Sequence, residues 1–222
     1  MCAERPLDLV AFDCDGVLVD SERIAIEIEA QVLTRMGWAI TAEEVVERFM
    51  SRPSGDVLDD VAARLGRERA TEFDRITTHE VLTAFRQRLT AVDGVQDLVA
   101  GLHDAGVATC VASSGSHRKM ELTLGITGLY ETFTGRIFSA SDVEHDKPAP
   151  DLFVHAAASI GVDPDRAAVV EDSVSGIRAA RAAGMVCFGY VGGLTSAGAL
   201  VAAGAIPFDR MAELACEFGL DA

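Results

Sequence analysis

The chain has 222 residues, of which 49% are hydrophobic and only 6 are proline, and its formal net charge is −16. That apolar share supports a packed globule, either one large domain or a core with a smaller insert, and excludes a disordered chain. The acidic surplus speaks against a nucleic-acid partner, which needs a basic face, and means that any anionic ligand must be met by a local positive charge or a metal.

The five cysteines (Cys2, Cys14, Cys110, Cys187 and Cys216) are scattered, with no CxxC pair. They read as small, mostly buried residues in a reducing compartment. No apolar leader precedes the first strand and no run approaches the length of a membrane span. The cytoplasm is therefore the expected location, with no membrane partner.

In chain order, residues 7–12 form a short apolar run that ends in the acidic turn Asp13-Cys14-Asp15-Gly16. Residues 21–90 are helical in pattern almost throughout. A first helix covers 21–36 and stops at Gly37, Thr41 and Glu44 have capping-box spacing, and further helices cover 56–65 and 71–89. A helix through Val95, Leu98, Val99 and Leu102 ends near Gly106. The run 107–112 then leads into Ser113-Ser114-Gly115-Ser116 and a helix over 116–124, which Ser113 is a candidate to start. Residues 136–139 form a shorter strand candidate. Pro150 and Asp151 open a helix carrying Leu152, Val154, Ala157 and Ile160. The run 167–170 ends in Glu171-Asp172-Ser173, an alanine-rich helix over 174–183 stops at Gly184, and a last run, 185–191, ends in Gly192-Gly193.

Continuous apolar strands separated by helices belong to a parallel sheet covered on both faces. The expected fold is α/β: a doubly wound, Rossmann-like sheet with right-handed crossovers. One connection departs from this rhythm. Asp13 is more than 90 residues from the second strand, where a βαβ unit needs about 30. With 95–104 as the true crossover, residues 21–90 become an inserted α-helical cap domain, and 1–20 with 91–222 become the core domain.

Ligands of open parallel sheets bind beyond the carboxyl ends of the strands. Here three strands end in Asp-x-Asp, Ser-Ser-Gly and Glu-Asp-Ser, and Lys147-Pro148-Ala149-Pro150 opens the helix before the Glu-Asp strand. Carboxylates gathered at one edge repel unless a cation sits among them, and hard oxygen donors beside a phosphate favour Mg2+. Each piece alone has a plainer meaning. Asp-x-Asp is often a solvated turn, Ser113 a helix cap, Lys147 a surface lysine, and Glu171-Asp172 an acidic helix start. The histidines show no ligand spacing. Cys14 is better read as a spacer packed into the core than as a thiol nucleophile.

Together, residues 13–22, Ser113, residues 147–151 and residues 171–176 resemble, in order, the four motifs of haloacid dehalogenase-type phosphatases. The likeness is greatest to the subfamily of β-phosphoglucomutases and small sugar-phosphate phosphatases with a helical cap after the first strand, and it covers essentially the whole chain. It implies a Mg2+-dependent phosphoric monoester hydrolase that works through an aspartyl-phosphate on a small phosphorylated metabolite. By this resemblance Asp13 is the nucleophile, and Asp15 is the general acid and then the base. Ser113 and Lys147 clamp the phosphoryl group, helped by backbone amides of Cys14, Asp15 and Ser114. Asp172 is the main metal ligand beside Asp13 and the Asp15 carbonyl, with Glu171 in support. The spacing of Asp13 and Asp15 on extended backbone turns both side chains the same way, and Gly16 permits the turn.

The pattern also has departures. Asp146, preceded by His145, stands where the subfamily usually has glycine, and its carboxylate is expected to damp the potential of Lys147. A cap histidine of β-phosphoglucomutases corresponds to Ala25, and their cap arginine to Ser54 within residues 51–55, with Arg52 displaced nearby. Those groups grip a sugar bisphosphate, so hydrolysis is expected over phosphomutase activity. Substrate contacts are assigned to Glu22, Arg48, Arg52 and Ser54 in the cap and to the turn 116–119. A sugar, sugar-acid or polyol phosphate is the expected substrate, with phosphoglycolate as the alternative. A dehalogenase would use Asp13 on carbon but would need neither Asp15 nor the acidic pair. A non-catalytic Mg2+-binding phospho-acceptor module would have no use for a cap. A monomer is the default.

Overall fold

The apolar runs become strands because β-rich segments with no polar face are satisfied only in the middle of a layered structure. The computed structural model describes residues 7–50, 52 and 54–220. Its sheet is formed by β1 (Leu9–Phe12), β2 (Ala108–Ser113), β3 (Ile137–Ser139), β4 (Ala167–Glu171), β5 (Val186–Tyr190) and β6 (Ile206–Phe208). Every pairing is parallel and the spatial order is β3-β2-β1-β4-β5-β6.

The helices are α1 (Ser21–Arg35), α2 (Ala42–Phe49), α3 (Ser54–Leu65), α4 (Arg67–Arg88), α5 (Val95–Asp104), α6 (His117–Ile126), α7 (Tyr130–Phe133), α8 (Asp151–Ile160), α9 (Val174–Ala182), α10 (Ala197–Ala203) and α11 (Met211–Glu217). The chain divides into two compact units. Met1–Asp20 with Thr90–Ala222 holds the sheet and α5 to α11, and Ser21–Leu89 holds α1 to α4. In the first unit the Asp20 amide donates to the Thr90 carbonyl at 3.1 Å, which pins together the points where the helical insert leaves and returns.

One face of the sheet presents Leu9, Ala11, Cys110, Ala112, Val169 and Cys187 to Leu152, Phe153 and Ala156 of α8 and to Ile177 and Ala180 of α9. Alternate residues point to the other face. There Phe12 meets Phe133 of α7 edge-on, with ring centroids 6.4 Å apart. Sequence order reverses at the β1/β4 pair, where α/β sheets bind ligands. Phe12 is in register with both Val111 and Val170. The residues that follow, Asp13, Ala112 and Glu171, therefore lie at one level across the sheet.

In the second unit α1 and α4 run side by side, tied by Arg35–Glu80 at 2.6 Å and Arg88–Glu27 at 2.8 Å. Both pairs are largely exposed, so they fix geometry more than they add stability. Thr41 and Glu44 close the expected capping box at the start of α2. Trp38 packs edge-on against Phe49, and the Arg64 guanidinium lies 4.8 Å from the Trp38 ring centre.

The sequence pattern left everything after Gly193 unassigned. β6 is a three-residue edge strand with Pro207 at its centre and Ile206 exposed, which carries no alternation to detect. α3 and α4 begin ahead of the expected starts at 56 and 71, because their polar first turns have no apolar period. Among the described residues no helix is long and apolar enough to cross a membrane.

Burial pushes the carboxyl of Glu29, on α1, up to about 7 from an ordinary 4.5. The folded chain then keeps a proton that the unfolded chain has lost, so stability falls as pH climbs through that window. Glu29→Gln cannot ionise. It should melt with the wild type at about pH 4.5 and above it at about pH 8, a difference read by thermal unfolding at the two pH values.

Candidate active site

Asp13 follows β1 directly, and its backbone amide still donates to the Val170 carbonyl at 2.9 Å, so the side chain is set by the sheet itself. Lys147 arrives from the segment ahead of α8 and is almost wholly enclosed. Its Nζ donates to Asp13 Oδ1 at 2.6 Å, to Glu171 Oε1 at 2.8 Å and to the Ala112 carbonyl at 3.0 Å. The Nζ also lies 5.0 Å from the centre of the Phe153 ring. The strand ends β1, β2 and β4 thus converge on one ammonium group.

One cation serving two carboxylates leaves an excess negative charge in a buried place. Burial pushes the Asp13 carboxyl up, and although Lys147 pulls it down, Glu171 and Asp15 push it further, to about 6. For Lys147 burial works to lower the pKa, but Asp13 and Glu171 outweigh it and hold the ammonium above its ordinary range. The two shifts are compatible, because the lysine gains two partners while Asp13 shares Lys147 with Glu171.

Glu171 is held on both oxygens. Oε1 accepts from Lys147, and Oε2 accepts from the Ser173 amide at 2.7 Å. Gly176 in the first turn of α9 makes room for it, since a Cβ there would lie 1.7 Å from Oε1. Ser173 in turn caps α9 by accepting from the Gly176 amide at 3.0 Å. Asp172 is buried on the other side of the turn, against Gly16. A Cβ at Gly16 would meet Asp172 Oδ2 at 2.2 Å, and its φ of +80° is itself costly for any residue with a Cβ.

The Asp13–Asp15 turn alternates as extended backbone requires. Cys14 points inward and its Sγ lies 3.9 Å from Thr123 Oγ1. Burial, with the Asp15 and Asp13 carboxylates, holds that thiol well above its ordinary pKa, so it stays protonated and is no nucleophile. Asp15 returns to the surface of the site, where Lys119 Nζ donates to Oδ2 at 2.7 Å.

Ser113 is buried at the end of β2, and its Oγ accepts from the Gly115 amide at 3.3 Å. It does not cap the next helix. Ser116 does, accepting from the Lys119 amide. Ser114 donates its hydroxyl to Asp146 Oδ1 at 2.8 Å, and the same oxygen accepts from the Lys147 amide at 2.7 Å. The carboxylate expected to damp Lys147 is thereby a clasp between the β2 loop and the lysine segment.

The second unit holds the remaining candidates. Glu22 lies in the first turn of α1. Arg52 is engaged within its own unit, donating to Asp60 Oδ2 at 2.6 Å and to the Arg48 carbonyl at 3.0 Å. Ser54 is the first residue of α3. Of the 51–55 turn, Ser51 and Pro53 lie outside the described residues. Sequence reasoning missed the reach of Lys119 to Asp15 and the clasp at Asp146. Ser116 three residues before Lys119 has N-cap spacing, which puts that lysine in a first turn beside the sheet edge.

An acidic turn at the switch point of a parallel sheet, gathered around one buried lysine, is the setting in which comparison with known proteins places a class of hydrolase. Residues 7–184 match the haloacid dehalogenase-like hydrolase family, and the chain belongs to it. It is 32% identical over 183 residues to a 6-phosphogluconate phosphatase of Escherichia coli (strain K12), covering 82% of this chain and 81% of that one. It is 28% identical over 188 residues to hexitol phosphatase B of the same organism, covering 83% and 84%. A haloacid dehalogenase family hydrolase from Deinococcus radiodurans R1, solved with bound phosphate and sodium, superposes with a TM-score of 0.82 at 32% identity over 97% of both chains.

Gly176→Ala should cost about 1–3 kcal/mol of stability, the usual cost of overpacking. Denaturant unfolding would measure it, and the cost should largely vanish in a Glu171→Ala background, where the clashing carboxylate is gone.

Proposed function

We propose that this chain is a Mg2+-dependent phosphatase that hydrolyses a small sugar, sugar-acid or polyol phosphate through an aspartyl-phosphate on Asp13. The observation that carries the proposal is the contact of Asp13 with the buried Lys147 at the end of the central strand, with Asp15 two residues on. The names of the two Escherichia coli relatives support the substrate class.

The donor set fits the ion. Asp13, Glu171 and Asp172 are buried carboxylates at the carboxyl end of the sheet, and Lys147 pairs with the first two, so a further hard cation would relieve the excess. An ion that keeps several waters takes few protein ligands. Asp13 and Asp172 with the Asp15 carbonyl would hold it. Glu171, with both oxygens engaged, acts in support by fixing Lys147. When bound, the ion neutralises charge on the transferring phosphoryl group.

The chain's own residues do the rest. An Asp13 oxygen attacks phosphorus, an O–P bond forms, and the bond from phosphorus to the sugar oxygen breaks while Asp15 delivers its proton to that oxygen. Lys147, the Ser113 hydroxyl and the amides of Cys14, Asp15 and Ser114 hold the phosphoryl oxygens. Water then attacks phosphorus, ionised Asp15 takes its proton, and phosphate leaves with Asp13 restored. The helical unit acts as a cap that limits water and selects the substrate, through Glu22, Arg52 and Ser54.

Asp13→Asn should lower turnover by more than about a hundredfold, since an amide is a poor nucleophile. Its thermal unfolding should stay close to that of wild type, because removing one of two carboxylates that share a lysine relieves as much as it loses. Phosphate release from 6-phosphogluconate together with a melting curve would check both parts, and a variant with near-normal turnover would end the assignment.

Hydrolysis is favoured over mutase transfer because Ala25 and Ser54 replace the gripping groups and Arg52 is already paired with Asp60. Phosphorus NMR of β-glucose 1-phosphate with the enzyme should show inorganic phosphate as the main product, with no dependence on added bisphosphate. Faster formation of glucose 6-phosphate would reverse that conclusion.

A further inference from the structure

Two carboxylates separated by one residue, as Asp13 and Asp15 are, compete for any nearby cation. The structure gives each its own lysine. Lys147 takes Asp13 at 2.6 Å, and Lys119, 104 residues along the chain from Asp15, takes Asp15 at 2.7 Å. Lys119 is rooted at the start of α6, where its backbone amide donates to Ser116 Oγ at 3.3 Å. The same helix reaches the Asp13–Asp15 turn a second time, through Thr123 beside Cys14. Gly115 closes the third side, since a Cβ there would stand 3.5 Å from Asp15 Oδ2 and 3.7 Å from Lys119 Cδ. The Asp15 side chain is 15% exposed and that of Lys119 42%, so the pair is half open to solvent and acts by fixing geometry more than by adding stability. Desolvation works against the Lys119 charge, yet Asp15 more than offsets it and the lysine is held above its ordinary pKa.

We infer that Lys119 is a positioning residue that fixes the carboxyl group of Asp15 for proton transfer to the leaving group and keeps it apart from Lys147. The inference rests on the role proposed for Asp15 above. A carboxyl tied on one oxygen has its plane set, and a positioned acid transfers a proton far more readily than a rotating one. Without the ammonium, Oδ2 of Asp15 loses the contact that fixes its plane. The chemistry that forms the Asp13–phosphorus bond does not pass through Lys119. Its loss should therefore be felt in proportion to how much the leaving group needs a proton.

The test is single-turnover phosphorylation with saturating Mg2+ and three aryl phosphates: phenyl, 4-nitrophenyl and 2,4-dinitrophenyl. Only the first strongly needs protonation of its leaving oxygen, and the last needs none. Lys119→Met should slow phenyl phosphate by about tenfold or more and 2,4-dinitrophenyl phosphate by less than about threefold, and Lys119→Arg should restore phenyl phosphate to within about threefold of wild type. Equal losses on all three substrates, or a change confined to KM, would overturn the inference by showing a structural or binding role. Asp15→Asn serves as the control. The same leaving-group pattern, larger in size, supports the acid role on which the inference rests. A uniform loss there would remove that role and the inference with it, whereas the graded pattern in Asp15→Asn beside a uniform one in Lys119→Met would remove the lysine's part alone.

Discussion

A buried ammonium has to be neutralised where it lies, and Lys147 is neutralised by two carboxylates that come from different strands. Most of the site follows from that arrangement. Asp13 and Glu171 can approach one nitrogen only because β1 and β4 are neighbours in register, with the Ala112 carbonyl of β2 completing the set. Removing the lysine would leave two buried carboxylates without their counter-charge, which is the costly way to disturb a buried ion pair. Gly176 and the Ser173 amide exist in this geometry to seat Glu171, so the first turn of α9 is shaped by the lysine as well.

The same arrangement is unbalanced by design of its charges. Two carboxylates around one lysine leave Asp13 shifted upward, and Asp172 adds a third buried acid nearby. In a chain with a net charge of −16, a phosphate ester finds positive potential only where such a site concentrates it. Lys147 and Lys119 each hold a carboxylate in place while keeping their charge, but four carboxylates outnumber them, so a positive potential there depends on the further cation proposed above.

Family membership and substrate choice rest on different parts of the molecule. The family match spans residues 7–184 and so both units, while Asp13, Ser113, Lys147 and Asp172 lie in the unit that holds the sheet. The residues expected to select the substrate lie mainly in the helical unit, where Arg52 is occupied by Asp60. Asp146 illustrates how a departure from a family pattern can be absorbed. The residue that looked like an added charge beside the lysine is a hydrogen-bond acceptor shared by Ser114 and the Lys147 amide.

The sequence by itself determined the layered α/β fold, because apolar runs such as 7–12 and 167–170 tolerate only a sheet covered on both faces. It also determined which residue types stand at the strand ends, since Asp13, Ser113 and Glu171 each follow or close such a run. It could not show β6, whose three residues at the sheet edge carry no period, nor which serine caps α6. Above all it could not show which carboxylate meets which lysine. Asp13 lies 134 residues from Lys147, and Asp15 lies 104 from Lys119. Contacts across such separations leave no local periodicity in the chain. They are decided by strand order and register, which bring the ends of β1, β2 and β4 to one level and leave α6 beside the turn.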